Sequence, residues 1–135
     1  MTFPYQQIET GVWMPYIPVR LESNGNVIDV MALVDTGATI SVIPNSIGRE
    51  LGLDWATGNK VLLTGALESE ARLMVLGMEI SGLGKTKQGF AWARNETSRV
   101  ILGNMNFFLE YDVYFSRVKK VLILTGTAQE AKVST

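Results

Sequence analysis

A β-hairpin signature in the first quarter of the chain constrains the fold most strongly. Apolar residues occupy every second position from 17 to 21, which is the period of a strand with one buried face. The dipeptide Asn24-Gly25 follows and is typical of a tight hairpin turn. The return strand, 27–34, is apolar except at Asp29, and it is expected to be buried on both faces. Two paired strands are therefore expected to lead directly into residue 35.

The rest of the pattern is also mostly β. One short helix is predicted after Pro44, with Asn45 or Ser46 as its cap and Gly52 as its C-terminal glycine, and a second near 105–109. Further strands are predicted at 61–64, 72–80, 89–94, 100–102, 111–115 and 118–124, with the last hairpin turning at Ser116-Arg117. The fold class is therefore predicted as all-β, a small closed barrel with one or two short helices.

The length of 135 residues accommodates one ordinary domain. The expected division is an N-terminal arm at 1–15, the domain at 16–125 and a flexible C-terminal tail at 126–135. No basic and apolar leader opens the chain, and the longest apolar stretch, 30–34, is too short to cross a bilayer. We therefore expect a soluble, cytoplasmic protein that is not membrane-bound, and Met1 suggests a complete gene product.

Composition removes several kinds of chemistry. The chain contains no His and no Cys, which excludes both as nucleophile, general base or zinc ligand, and excludes disulfides. The formal net charge is −1, which disfavours a broad basic surface for nucleic acid. Catalysis would have to use Asp, Glu, Ser, Thr, Lys or Tyr.

The sharpest motif is Asp35-Thr36-Gly37, followed by Ala38 and Thr39. An aspartate at the end of a buried strand is unusual because an unpaired buried carboxylate is costly. The following glycine permits a sharp turn and a close approach of the backbone. Taken alone, the triplet is more simply interpreted as a strand-end turn in which the aspartate caps backbone N–H groups.

The context of the triplet changes this interpretation. An apolar strand precedes it, and a second apolar-apolar-glycine element, Ile101-Leu102-Gly103, opens a short helix 68 residues after Asp35. Together with a hairpin between them, these motifs resemble those of the retroviral-type (retropepsin-like) aspartic proteases, including their cellular and bacterial single-domain relatives. The resemblance extends from about residue 17 to residue 124. It implies a closed barrel with a flap hairpin, and peptidase activity.

The resemblance also implies roles for individual residues. Asp35 would be the catalytic aspartate, and Thr36 would bond across a subunit interface and hold the active-site loops rigid. Gly37, Ala38 and Thr39 would contact substrate. The hairpin 61–75 would be the flap, with Thr64, Gly65 and Ala66 contacting substrate near its tip, and 101–103 would pack beneath the catalytic loop.

Two positions depart from the pattern of many viral members. These carry an acidic residue two positions after the triplet glycine and an arginine just after the second glycine, and the two side chains pair. The corresponding residues here are Thr39 and Asn104, so both charges are absent together. The flap tip is also less rich in glycine.

The chemistry of this family requires two carboxylates that share one proton. The other aspartates, Asp29, Asp54 and Asp112, are not followed by Thr-Gly or Ser-Gly. The second carboxylate would then be Asp35 of another copy, so the resemblance implies a homodimer acting on a peptide or protein substrate. Water is the nucleophile, so no metal or other cofactor is expected.

Two other functions compete with an aspartic endopeptidase. One is a catalytically impaired barrel of the same fold, used for dimerisation or peptide binding, and the other is an unrelated small ligand-binding barrel. Two weaker motifs favour solvated loops: 82–86 lacks the first glycine of a phosphate-binding loop, and Arg117, Lys119 and Lys120 form a basic hairpin end. Trp13, Trp55 and Trp92 are expected in a core or an interface.

Overall fold

A computed structural model describes residues 1–63, 69–96 and 99–126. Strands dominate these ranges, as the alternating sequence pattern predicts. The strands are β1 (Thr2–Pro4), β2 (Gln6–Glu9), β3 (Val12–Met14), β4 (Tyr16–Ser23), β5 (Asn26–Val34), β6 (Val42–Ile43), β7 (Asn59–Leu63), β8 (Ser69–Ile80), β9 (Gly84–Ala93), β10 (Val100–Leu102), β11 (Tyr111–Ser116) and β12 (Val121–Gly126). The helices are α1 (Asn45–Glu50), α2 (Phe107–Glu110) and a 3₁₀ turn at Trp55–Thr57.

Six strands close into a barrel. Their order is β4-β5-β10-β6-β9-β8, and β8 pairs back onto β4 through Arg20 and Glu79 to complete the ring. β7 extends the sheet by pairing with the first half of β8. The predicted all-β class with a small closed barrel is therefore confirmed.

The chain ends form a second, three-stranded sheet in the order β1-β12-β11. β2 and β3 pair only with each other among the described strands, and they form a hairpin between β1 and the barrel. Part of the predicted N-terminal arm is thus ordered as β structure. Residues 127–135 of the predicted tail lie outside the described residues.

The barrel interior contains the inward side chains of alternating strand positions. In β4, residues 17, 19 and 21 are buried while their neighbours Pro18, Arg20 and Glu22 are exposed. The largest fully buried side chains are Phe90, Phe107, Ile17, Leu21, Ile43, Leu51, Leu76, Met78, Ile80, Leu102, Leu122 and Leu124. In the described ranges no helix is long and apolar enough to cross a membrane.

Turn chemistry agrees with the sequence at two places. Asn24 and Gly25 have φ of 52° and 80° and close the β4–β5 hairpin. Gly52 has φ of 72° just after α1, in the left-handed conformation that favours glycine at a helix end. The predicted cap of α1 is wrong, because Pro44 occupies the cap position and no side chain caps the helix.

The expectation for β5 is only partly correct. Its last three residues are buried, but Val27 and Met31 are exposed. β10 lies alongside β5 only at 32–34, whereas the first six residues of β5 belong to the outer part of the hairpin with β4. Continuous apolar sequence therefore overstates the burial of this strand.

Two further element boundaries differ from the sequence prediction. The last hairpin turns through 117–120, closed by Lys120 at φ of 54°, so Val118 is in the turn and 93% exposed. β9 already begins at Gly84, which places Lys85 and Thr86 in a strand paired with β8 instead of in a loop. Pairing with a neighbouring strand decides both boundaries.

Gly48 of α1 is covered by the Trp92 indole of β9. A Cβ at Gly48 would overlap three atoms of that ring, which itself is 3% exposed, donates from Nε1 to Asn45 O at 3.1 Å and packs edge-on against Trp55. Neither the ring nor the helix backbone has room to move. Only glycine fits here without displacing the indole.

We expect Gly48→Ala to lower the free energy of unfolding by about 2 kcal/mol in urea denaturation. Alanine gains about 1 kcal/mol of helix propensity, but the deep overlap with a buried ring puts the overpacking cost at the upper end of its usual range, about 3 kcal/mol. Arg49→Ala, at an exposed position of the same helix, should change the value by about 0.5 kcal/mol or less. A neutral or stabilising Gly48→Ala would contradict this packing.

Candidate active site

The loop that joins β5 to β6 carries Asp35, Thr36, Gly37, Ala38 and Thr39. β5 runs through the barrel wall with Val34 beside Leu102 of β10. The Asp35 N–H extends this pairing by donating to Leu102 O at 3.0 Å. Asp35 is therefore held by the sheet at the carboxyl end of a central strand, and its side chain is half-buried.

A local turn orients the Asp35 carboxylate. The Gly37 N–H donates to Asp35 Oδ1 at 2.9 Å, and the Ala38 N–H donates to Asp35 O at 3.2 Å. A Cβ at Gly37 would lie 3.3 Å from the same Oδ1, which is tighter than an ordinary contact. Glycine therefore lets the Asp35 carboxylate approach the backbone at residue 37 closely. Among the described residues, Oδ2 of Asp35 accepts no hydrogen bond.

The residues after β10 support the back of this loop. Asn104 Nδ2 donates to Thr36 O at 2.8 Å, and the Asn104 N–H donates to Ala38 O at 2.9 Å. The Met105 N–H donates to Thr39 O at 2.8 Å. Three carbonyls of the loop, those of Thr36, Ala38 and Thr39, are thus satisfied by one short segment.

Ser41 and Gly103 connect the two segments in the interior. The Ser41 hydroxyl is fully buried and accepts a hydrogen bond from the Gly103 N–H at 3.0 Å. A Cβ at Gly103 would lie 2.7 Å from Ile40 C and O and 2.9 Å from Ala38 O, which are backbone atoms that cannot give way. The expected packing of 101–103 beneath the loop is confirmed, and glycine is required at its last position.

Sequence reasoning missed Asn104 and Ser41 as supports of the loop. Asn104 was noted only as a replacement for an arginine, yet its amide reaches the Thr36 carbonyl. A hydroxyl six residues after Asp35 carries no distinctive pattern, because its partner, Gly103, is 62 residues away. Both contacts become visible only when β10 lies against β5.

The hairpin predicted over 61–75 is present as β7 and β8. These strands are antiparallel, and the pairing extends to Leu63 opposite Ser69. Thr64, Gly65 and Ala66, which were predicted to contact substrate, lie outside the described residues. The structure therefore describes both strands of the hairpin.

A cavity of about 490 Å³ opens beside Asp35. Its lining surface is about equally polar and apolar, and its charged residues are Asp35 and Arg117. The residues come from the chain ends as well as from β5: they are Tyr5, Trp13, Met14, Pro15, Leu33, Val34, Asp35, Thr36, Phe115 and Arg117. The sequence predicted no site residue among the lining residues that come from the chain ends, which are Tyr5, Trp13, Met14, Pro15, Phe115 and Arg117.

The other three aspartates lie away from the loop. Asp29 is six residues earlier on β5 and pairs with Arg20 at 2.8 Å, and this hydrogen-bonded guanidinium lowers the pKa of Asp29. Asp54 accepts from the Ala56 N–H and caps the 3₁₀ turn, and Asp112 is exposed on β11. Across residues 1–63, 69–96 and 99–126, no three acidic side chains converge as a metal site.

The chain belongs to an aspartyl protease family. The sequence profile described as "aspartyl protease" matches residues 17–106, which include the Asp35 loop and the 101–105 segment. A comparison with curated proteins finds no match.

Two solved structures share the fold. A retropepsin-like aspartic protease from Rickettsia conorii superposes with a TM-score of 0.63 at 22% identity, covering 92% of this chain and 89% of that one. EIAV protease, in complex with the inhibitor HBY-793, superposes with a TM-score of 0.51 at 22% identity, covering 75% and 88%. The barrel is therefore of the retropepsin-like type.

We expect Ser41→Ala to lower the free energy of unfolding by about 1–3 kcal/mol, because it leaves the buried Gly103 N–H without an acceptor. Ser116→Ala is the matched control, since Ser116 Oγ accepts from the Lys119 N–H at an exposed turn. There water replaces the lost acceptor, and the expected change is about 0.5 kcal/mol or less. Equal losses for the two variants in urea denaturation would contradict a structural role for the buried hydroxyl.

Proposed function

We propose that this protein is an aspartic endopeptidase that acts as a homodimer through two Asp35 carboxylates. The observation that carries the proposal is the placement of Asp35. Its carboxylate is half-buried at the end of a barrel strand, is oriented by the Gly37 N–H and opens onto a cavity large enough for a peptide side chain. Membership of an aspartyl protease family and the retropepsin-like fold support the same chemistry.

One chain supplies only half of this catalytic site. Asp29 forms an ion pair with Arg20. It lies about 20 Å along the strand from Asp35, at about 3.3 Å per residue. Asp54 and Asp112 belong to other elements. A two-fold axis beside Asp35 brings a second Asp35 next to the first, so the active species is a dimer.

The two carboxylates divide the work of hydrolysis. Held about 3 Å apart, they are not both ionised at acidic to near-neutral pH, so they share one proton. The ionised carboxylate accepts a proton from water, whose oxygen attacks the peptide carbonyl, while the protonated carboxylate donates to the carbonyl oxygen. The tetrahedral diol then breaks its C–N bond: the carboxyl that took the proton from water gives it to the leaving nitrogen, and the other carboxylate takes a proton back from a hydroxyl. The products are a carboxylic acid and an amine, and the pair of carboxylates again holds one proton.

The neighbouring residues position the carboxylates and the substrate. Gly37 orients Asp35, and Thr36, exposed on the loop, faces the second subunit and stiffens the pair of loops. Ala38 and Thr39 line the floor of the cleft beneath the substrate. The hairpin of β7 and β8 covers the substrate; Thr64, Gly65 and Ala66, expected from the resemblance to contact it, lie outside the described residues.

We expect Asp35→Asn to reduce kcat/KM for peptide cleavage by about 10³-fold or more, because the amide can neither accept the proton from water nor share one. The measurement is cleavage of a diverse peptide library followed by mass spectrometry. The matched control is Asp29→Asn, an equal loss of charge on the same strand at an exposed site, which should retain activity within about 2-fold. Sedimentation should show that Asp35→Asn remains a dimer.

The library experiment also separates the proposal from its main rival. Full activity in Asp35→Asn overturns the assignment of Asp35. A wild-type protein that dimerises and binds peptides but cleaves none supports the catalytically impaired module instead. A transition-state-analogue inhibitor adds a second readout, because it should bind tightly only where both carboxylates are in place.

The rate of cleavage should follow a bell-shaped pH profile with an acidic to near-neutral optimum. At low pH both carboxylates are protonated and no base remains, whereas at high pH both are ionised and no acid remains. The profile is measured as kcat/KM for one library-derived peptide from about pH 3 to about pH 10. A rate that continues to rise above about pH 9 would contradict a shared proton.

A further inference from the structure

The cavity beside Asp35 combines apolar side chains with one cation. Leu33, Met14 and Phe115 are among the apolar side chains, and Arg117 is the basic residue in the lining. Arg117 belongs to the 117–120 turn that joins β11 to β12, so the final hairpin brings a positive charge to the cavity of the candidate catalytic carboxylate.

Arg117 has no carboxylate partner within residues 1–63, 69–96 and 99–126. Its side chain is exposed, and it forms no ion pair with another described residue. Tyr5 is another residue of the lining. Burial raises the pKa of Tyr5, and the positive charge of Arg117 acts in the opposite direction.

The other cations of the turn are placed differently. Lys120 Nζ lies 5.7 Å from the centre of the Trp13 ring, at a distance typical of a cation–π contact. Lys119 is exposed, does not line the cavity and takes part in the turn through its backbone N–H. Of the three basic residues, Arg117 is therefore the one available to a group inside the cavity.

We propose, building on the peptidase function above, that this cavity is a side-chain subsite and that Arg117 in it binds a carboxylate of the peptide substrate. The apolar side chains of the cavity pack against a substrate side chain near the scissile bond. The Arg117 guanidinium binds the carboxylate of an acidic substrate residue close to that bond. A guanidinium forms two parallel hydrogen bonds to a carboxylate, which makes the contact selective for Glu or Asp over their amides.

The size of the cavity limits where the acidic residue lies. A sphere of the same volume would be about 10 Å across. An extended peptide advances about 3.3 Å per residue, so an acidic side chain within about three positions of the cut reaches Arg117. The substrate class is therefore a peptide with a large apolar residue and an acidic residue on the same side of the cut.

The test uses peptide pairs that differ only by Glu or Gln at one position within three residues of the cut. For the wild-type protein at low salt, we expect kcat/KM to favour Glu by about 2- to 5-fold at one or more positions, and the preference to shrink as salt is added. In Arg117→Gln the Glu/Gln ratio should fall to about 1. In Arg117→Glu the preference should invert in favour of a Lys peptide over its Gln counterpart.

The matched control is Lys119→Gln, which removes the same charge from the same turn outside the cavity. It should keep the wild-type Glu/Gln ratio, because the proposed contact is direct. A ratio that falls equally in Lys119→Gln and Arg117→Gln would overturn the subsite and indicate a general field of the basic turn. A wild-type ratio of about 1 at all positions would overturn it as well.

Binding separates this inference from the peptidase proposal. The same peptide pairs are titrated against Asp35→Asn protein, with fluorescence anisotropy as the readout, so that no turnover is needed. Tighter binding of Glu peptides that disappears in the Asp35→Asn, Arg117→Gln double variant supports the subsite even if wild-type protein cleaves nothing, an outcome that overturns the peptidase alone. Equal binding of Glu and Gln peptides overturns the subsite and leaves the peptidase intact.

Discussion

The placement of Asp35 depends on hydrogen bonds between two segments that are distant in sequence. The loop after β5 turns back on itself, and its carbonyls are left without partners by the strands on either side. The segment after β10 satisfies them with the Asn104 amide and two backbone N–H groups, while the buried Ser41 hydroxyl accepts from Gly103. Because buried or partly buried backbone groups are costly when unpaired, the loop and this segment stabilise each other, and the carboxylate is oriented as a result.

A neutral side chain performs the supporting role at position 104. Many viral members of the family have an acidic residue and an arginine at these two positions, and the two side chains pair. This chain has Thr39 and Asn104 there, so no charge is left without a partner. The Asn104 amide bonds to the Thr36 carbonyl at 2.8 Å, and the Met105 N–H bonds to the Thr39 carbonyl. The loop is thus held by neutral hydrogen bonds, which are less sensitive to salt than an exposed ion pair would be.

The two chain ends contribute more to the site region than their sequence indicates. β1 pairs with β12, and the 5–15 segment and the 115–117 segment both reach the cavity beside Asp35. Residues assigned to an arm and to a basic turn therefore become neighbours of the candidate catalytic carboxylate. This adjacency gives Arg117 a specific environment, whereas the sequence alone indicates only a solvated hairpin end.

The local pattern was sufficient for the features that arise from near neighbours. Alternation identified β4, Asn24-Gly25 identified its hairpin turn, and Asp35-Thr36-Gly37 with Ile101-Leu102-Gly103 identified the family. Features that depend on which strands lie side by side were not accessible: the exposed first part of β5, the start of β9, the supporting contacts of Ser41 and Asn104, and the position of Arg117 in the cavity lining. These follow from long-range pairing, because burial and hydrogen-bond partners are set by residues tens of positions away, and no periodicity of 2 or 3.6 residues encodes them.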